Sequence, residues 1–393
     1  MPRKPQAIPA AGLWVALAAS LLTAPLPGEE TRSTPFLGVT MSVRHETSPR
    51  PLVMHLVWVD LQAPGIRFKV TPPGPSRDTV RQTTLAFLAQ EQAQVAVNAH
   101  FYVPFPSTDA YANLVGLAVS DGVLYSPFEG QPVADGYQNQ DYAIVACAPA
   151  LNIDPWNHAG IVHVDTAQAD NRHILEPVTL WNALAGSAQI ITHGAKTLPD
   201  YSGPPEGLNP TLVYSDANSW YGYLRARTVI GLTRDPSTLL LFTVDEAGGS
   251  LGMSVGEVAD LLIRDYGVEE ALNLDGDGST SLAIADPVSH LARLVNVPSD
   301  GLTGRAVGSS LAVFALPAVA LRVSPLAAGD GVVLSWPAAL PGWRPEESSS
   351  PSGAEWTPLT SPPLRVDDGW ELPVRGSSGV RFYRLRLDGA APK

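Results

Sequence analysis

Residues 254–282 constrain this chain more than any other stretch. Ser254 and Glu257 make a capping box, Val255, Val258, Leu261 and Leu262 fall on one face of a helix, and Gly267 supplies its stop. No linker follows. Val268, Ala271, Leu272 and Leu274 read as a short buried strand that runs straight into Asp275. From Asp275 to Ser281 the chain holds two carboxylates, three hydroxyls and two glycines in seven residues. A turn built on glycines brings backbone N–H groups and short oxygen side chains close to a ligand. The stretch therefore predicts a strand end that presents Asp275 into a pocket.

The rest of the chain is mostly strands. Val53 to Leu61 and Ile66 to Val70 alternate as a strand pair turning at Ala63-Pro64-Gly65, and Asp78 opens a helix over Thr79 to Gln92. Val95 to Val97 is a short buried strand leading into Asn98. Asp121-Gly122 marks a hairpin between Leu114–Val119 and Val123–Tyr125. Tyr142 to Cys147, Ile161 to Val164 and Ala188 to Thr192 are further strands, and Tyr201 to Trp220 reads as a long surface loop. Arg227 to Thr233 and Leu239 to Val244 form a second hairpin, and Val307 to Leu316 closes the domain. Beyond Pro317, short alternating runs separated by Pro, Gly and Ser clusters predict a small antiparallel β-sandwich with no concentration of His, Asp or Glu suited to chemistry. The expected fold class is α+β: a mixed, strand-rich sheet core with a few helices, plus the C-terminal sandwich. Gly28 to Pro35 reads as a polar linker after the leader, and the expected division is 1–28 leader and linker, 29–317 catalytic domain and 318–393 accessory module.

The net charge of −13 argues against nucleic acid as a partner, because phosphate neutralisation needs clustered Lys and Arg. Met1-Pro2-Arg3-Lys4 followed by the apolar run Ala10 to Leu22 and Thr23-Ala24-Pro25 has the layout of a secretory signal peptide. That run is too short to span a bilayer easily, and no other segment qualifies, so an exported protein without a membrane span is expected. Cys147 is the sole cysteine, in an apolar run, and reads as a small buried hydrophobe.

The order of motifs adds more than any one of them. Asn98-Ala99-His100-Phe101-Tyr102 precedes Val115 to Gly122, Gln189 to Lys196, Arg227 to Thr233 and Thr243-Val244-Asp245. Then come Gly252-Met253-Ser254, Asn273-Leu274-Asp275-Gly276-Asp277-Gly278-Ser279 and Gly304 to Leu311. Over roughly residues 53–314 this resembles the phosphodiester glycosidase family, whose pattern at the acidic turn is N-L-D-G-G-G-S; here Asp277 replaces the middle glycine. His100 also stands where the family tends to have a small or acidic residue.

The resemblance implies hydrolysis of a sugar-1-phosphodiester at the anomeric carbon, on a phosphorylated carbohydrate. An alkyl phosphate leaves with little need of protonation, so anion recognition matters more than a strong general acid. What is needed is a carboxylate that activates water or stabilises the anomeric cation, and a guanidinium fork for the phosphate. Asp275 is the expected central carboxylate, Asp245 a second one, and Asn98 an orienting carboxamide at a neighbouring strand end. Arg227 and Arg305 are the expected phosphate arginines. Ser279, Thr280 and the N–H groups around Gly276 and Gly278 are expected donors to phosphate. His100 lies near the same rim as an acid, a metal ligand or a substrate contact. No cofactor is required, though Asp277 adds an oxygen ligand for a calcium or magnesium ion.

Other readings fit less well. An EF-hand loop starting at Asp275 wants Gly at its sixth position and Glu at its twelfth, where this chain has Thr280 and Asp286. There is no G-x-S-x-G elbow for a serine hydrolase. A non-catalytic carbohydrate-binding surface protein is the alternative, since nine Trp and eleven Tyr offer sugar-stacking platforms.

Overall fold

The computed structural model describes residues 28–131, 133–134, 143–199, 220–287, 289–318, 321–326, 330–337, 342–351, 355–367, 369–376 and 380–387. Residues 1–27 of the expected leader over 1–28, and residues 201–219 of the expected loop over 201–220, lie outside the described residues.

Two antiparallel sheets stack face to face. The longer has eight strands in the order Glu30–Phe36, Val39–Glu46, Leu52–Asp60, Thr238–Val244, Arg227–Thr233, Val268–Asn273, Ala188–Thr192, Ala195–Lys196. The inner sheet has five: Ala292–Leu294, Leu282–Ala285, Val95–Asn98, Ser310–Phe314, Arg67–Val70. Val57, Val59, Ile230, Leu239, Leu241 and Leu272 of the long sheet meet Val95, Val97, Leu282, Ile284, Leu311 and Val313 of the inner one. Each such side chain contributes roughly 1.5–3 kcal/mol on burial.

A helix covers each outer face. Val255–Tyr266 packs Val255, Val258, Ala259 and Leu262 against Leu56, Phe242 and Ala271 of the long sheet. Its capping box at Ser254 and Glu257 is formed, and Gly267 adopts φ +61° as the helix stop. Thr84–Glu91 lays Phe87 and Leu88 on Ala96, Ala283 and Ala312 of the inner sheet. The result is an α+β stack of helix, sheet, sheet, helix. A third sheet, Val123–Ser126, Ala118–Ser120, Asn182–Ala185, Ala150–Ile153, Ala159–Val162, closes one side. The described residues between 321 and 387 form two small antiparallel sheets around Leu334, Trp336 and Leu372.

Three local expectations are corrected. Leu52–Asp60 and Arg67–Val70 do not pair with each other: the first lies between Val39–Glu46 and Thr238–Val244, the second against Ser310–Phe314. The turn between them carries the chain from one sheet to the other. The early helix starts at Thr84 with Thr83 as N-cap, because Thr79–Val80 is spent on a short strand against Tyr111–Leu114. Residues 28–35, expected as a linker, mostly belong to the edge strand Glu30–Phe36.

Candidate active site

The acidic turn lies where the chain crosses between the two stacked sheets. Val268–Asn273 ends in the long sheet, and Leu282–Ala285 begins in the inner one. The crossing is tied down on both sides: the Leu274 N–H donates to Thr228 O at 2.9 Å and the Asp275 N–H to Ala99 O at 3.0 Å. Asn98 locks it from beneath. Its Nδ2 donates to Asp275 O at 2.6 Å, and its Oδ1 accepts from Thr228 Oγ1 at 2.8 Å and from the Ser281 N–H at 3.0 Å.

Held this way, the Asp275 carboxyl is only partly accessible, and burial pushes its pKa up to about 7. The Asp277 charge adds to that rise. The Ser279 hydroxyl, the Arg305 guanidinium and the Gly276 N–H (2.9 Å from Oδ1) oppose it. The carboxyl is thus poised to take or give a proton near neutrality. Ser279 also hydrogen-bonds Tyr102, whose phenol burial and the Asp275 charge push up to about 12. Tyr102 therefore keeps its proton, and its hydroxyl also lies 3.3 Å from Ala306 O.

Arg305 completes the cluster. Its Nη1 reaches Ser279 Oγ at 3.3 Å, its Nε pairs with Asp300 at 2.7 Å, and its guanidinium stacks 4.6 Å from the Phe105 ring centre. Gly278 makes room for it: a Cβ there would lie 2.2 Å from Arg305 Nη2. A cavity of about 280 Å³ opens beside the cluster, walled by Arg81, Tyr102, Phe105, Asp300 and Arg305 among others. Asp275 is not part of that wall; it meets the cavity through Tyr102 and Arg305. A second cavity of about 300 Å³ lies against the helix Val255–Tyr266, but its arginines Arg44 and Arg50 are already paired with Asp265 at 2.7 Å and Glu257 at 2.6 Å.

A second carboxyl pair sits on the other side of the turn. Glu246 hydrogen-bonds Asp277, and the Ala226 N–H donates to Glu246 Oε2 at 3.0 Å while Ala226 O accepts from the Asp277 N–H at 2.8 Å. Burial and the Asp277 carboxyl raise the Glu246 pKa. Asp277 holds φ +53°, the left-handed region that glycine enters freely and Asp tolerates better than most residues. The backbone shape of a glycine is kept while a charge is added.

Several expected site residues have other work. Asn98 is fully buried with both ends of its amide used, so it positions the Asp275 turn instead of orienting a sugar or water. Arg227 is also fully buried. Its Nε donates to Met253 O at 2.9 Å, its Nη2 to Trp220 O at 2.7 Å and to Tyr223 O, and its plane lies 4.1 Å from the Trp220 ring centre. Its Nη1 is buried without a hydrogen-bond partner, and the guanidinium is enclosed and lies outside the wall of the cavity beside Arg305. Burial lowers its pKa to about 9, which still keeps it charged at neutral pH. Through Trp220, which a Cβ on Gly276 would approach to 3.1 Å, Arg227 braces the turn from behind.

Asp245 is buried as well, with Oδ2 3.2 Å from His55 Nε2 and accepting from the Val297 N–H at 3.0 Å. It faces the layer between the sheets, and the next residue, Glu246, is the one beside the turn. Thr280 points inward, its hydroxyl 3.4 Å from that of Thr228. His100 is a core residue. Its Nδ1 lies 2.7 Å from Ser309 Oγ, its Nε2 lies 2.9 Å from Leu117 O and 3.0 Å from the Ala185 nitrogen and serves one of the two according to its tautomer, and burial lowers its pKa to about 4, so it stays neutral. Asp277 hydrogen-bonds Glu246 and lies 4.0 Å from Arg225 Nε. No group of three or more His, Cys, Asp or Glu among the described residues is placed to hold a metal ion. The structure thus brings together Asp275, Gly276, Gly278, Ser279 and Arg305, and adds Tyr102 and Glu246. Tyr102 stood in a quoted motif without a role, and Glu246 was legible only as the neighbour of Asp245.

Known proteins give the arrangement its context. A catalytic domain of zebrafish N-acetylglucosamine-1-phosphodiester alpha-N-acetylglucosaminidase, auto-inhibited by its pro-peptide, is 18% identical at a TM-score of 0.47, over 73% of this chain and 87% of that one. A hypothetical protein from Synechocystis is 17% identical at 0.45, over 71% of this chain and 62% of its own. A putative exported protein from Burkholderia pseudomallei is 16% identical at 0.46, over 67% and 74%. No curated protein gives a significant match. The family model for phosphodiester glycosidases matches residues 91–314, more than half of the sequence and including the whole acidic turn, and the chain belongs to that family.

Proposed function

We propose that this protein is an exported hydrolase that cleaves the bond between a sugar's anomeric carbon and a phosphodiester oxygen, on a glycan or glycoconjugate. The observation that carries the reading is Asp275: a carboxyl with a pKa near 7, tied to Ser279 and facing Arg305 beside a cavity. Arg305 and Ser279 hold the phosphate. Asp275, as the carboxylate, draws a proton from water as that water attacks C1; the C1–O bond breaks and the phosphate departs with its oxygen. Tyr102, kept protonated, fixes Ser279 in place. The basic start and apolar run of residues 1–22 support export.

The test is a panel of chromogenic sugar-1-phosphodiesters, with and without chelator. Turnover of at least one member, unchanged by the chelator, is expected. Glycan binding with no turnover of any member would replace the hydrolase with a binding protein.

A further inference from the structure

Arg305 follows an exposed turn that can do little to hold its side chain still. Leu302 is 98% exposed and the ion-pair partner Asp300 53%, yet the Arg305 side chain is only 24% exposed. Asp300 rides on the same turn, so it moves with Arg305 instead of fixing it. Firmer support comes from a different part of the chain. Phe105 lies in the loop that joins Tyr102–Val103 to Tyr111–Leu114, two strands that pair with each other. Arg81 ties that loop down on both sides of Phe105. Its Nη2 donates to Pro104 O, its Nη1 to Ser107 O at 3.3 Å, its Nε to Tyr111 O at 3.2 Å, and its backbone N–H to Ala110 O at 2.9 Å. From there four side chains stack in a row toward the acidic turn. The Arg81 guanidinium lies 4.9 Å from the Tyr102 ring centre, the Tyr102 and Phe105 rings meet edge to face at 6.1 Å and 80°, and the Arg305 guanidinium lies 4.6 Å from the Phe105 ring centre. All four line one cavity, and Phe105 is 37% exposed, so its ring serves this row and not a core.

We propose that Phe105 is a positioning residue of the phosphate subsite: its ring face holds the Arg305 guanidinium in the orientation that meets the anion, and the loop clamped by Arg81 holds the ring. The inference rests on the hydrolase reading above for its effect on turnover, and on the cavity geometry for its effect on phosphate binding. A long arginine side chain that is free to rotate loses that freedom when an anion binds, and affinity falls accordingly. A cation stacked on an aromatic face is attracted by the ring, which favours the stacked orientation about twofold at exposed sites and up to about thirtyfold at desolvated ones. Arg305 is thereby ordered before the anion arrives. As the C1–O bond breaks, the departing phosphate gains negative charge, so its interaction with Arg305 strengthens along the reaction. A misplaced Arg305 therefore lowers kcat as well as raising KM.

The experiment compares the full chain with Phe105→Leu and Phe105→Tyr. Leu keeps an apolar side chain and loses the aromatic face; Tyr keeps the face. Neither alters a charge on the cavity wall, where Arg81, Asp109, Asp300 and Arg305 all remain. Affinity for inorganic phosphate is measured by calorimetry at pH 8 and low salt, with the melting temperature of each protein recorded. Phe105→Leu is expected to bind phosphate about five- to tenfold more weakly, and Phe105→Tyr within about twofold of the unaltered chain, with melting temperatures nearly equal. In an Arg305→Ala background the Phe105→Leu change should have no further effect. Unchanged affinity in Phe105→Leu, equal losses in the Leu and Tyr variants, or the same loss in the Arg305→Ala background overturns the proposal, as does an unaltered chain that binds no phosphate. Diester turnover is followed in parallel, and kcat/KM of Phe105→Leu should fall about tenfold with kcat sharing the fall. A rise in KM alone, with phosphate affinity unchanged, would make Phe105 a contact of the leaving alcohol and overturn the positioning role. No turnover by the unaltered chain would remove the hydrolase reading, while the phosphate titration would still decide the role of Phe105.

Discussion

Asp275→Asn should make the protein more stable at high pH and leave it nearly unchanged in acid. The carboxyl is raised in the folded state, from an ordinary 3.8 to about 7. The sign follows from proton binding: between those values the folded chain holds a proton that the unfolded chain has lost, so stability falls as pH rises through the window. Below about pH 4 Asp275 is protonated in both states and costs nothing; above about pH 7 the folded protein carries the full burden of a desolvated carboxylate. Each tenfold change in proton affinity is worth about 1.4 kcal/mol, which sets an upper limit of about 4 kcal/mol. The carboxyl keeps some access to solvent, and screening reduces this to about 2 kcal/mol. Asn keeps an oxygen for the Gly276 N–H and cannot ionise. The assay is denaturant unfolding of both proteins from pH 4 to pH 9. The midpoints should coincide at pH 4 and separate progressively through pH 7, with the variant the more stable. A difference independent of pH, or an unaltered protein that is the more stable at pH 8, would refute the account of Asp275.

Three further outcomes are expected. Arg305→Ala removes the phosphate fork and should lower kcat/KM about 100-fold, with Arg305→Lys recovering only part of it because an ammonium cannot match two oxygens at once. Gly278→Ala puts a Cβ 2.2 Å from Arg305 Nη2 and should displace the guanidinium, lowering kcat/KM about tenfold or more with little change in the melting temperature. Arg227→Ala removes a hydrogen bond from the carbonyls of Trp220, Tyr223 and Met253, of which Met253 still accepts from the Arg225 N–H, and takes the stacking partner from Trp220; a loss of about 3 kcal/mol in denaturant unfolding is expected.

Much of the fold was legible where signals are local. Ser254, Glu257 and Gly267 mark both ends of a helix that the structure reproduces, and Asp121-Gly122 marks a hairpin whose two turn residues both take positive φ. Pairings between distant segments were not legible. Nothing near Leu52–Asp60 tells that its partners lie at residues 39–46 and 238–244, because any strand of matching pattern satisfies the same ladder. The site divides in the same way. Asp275 stood out from the glycines and short polar side chains that follow a buried strand, while Gly278, Ser279 and Arg305 entered as positions that the family resemblance implies. Asp245 was preferred to Glu246 because the strand before them, Thr238–Val244, is buried on both faces and carries no alternation to say which carboxyl faces the turn. Arg227 opens a buried strand, as expected of a site arginine, but its partners are carbonyls of residues 220, 223 and 253, brought together only by the fold.

The central claim is that Asp275 carries hydrolysis of a phosphodiester-linked sugar. The most direct measurement is the turnover of a chromogenic sugar-1-phosphodiester by the unaltered protein and by Asp275→Asn, with the fold of both verified by circular dichroism. A fall in kcat of about 1,000-fold or more in a folded variant is the result this account predicts. Undiminished turnover by folded Asp275→Asn would contradict it.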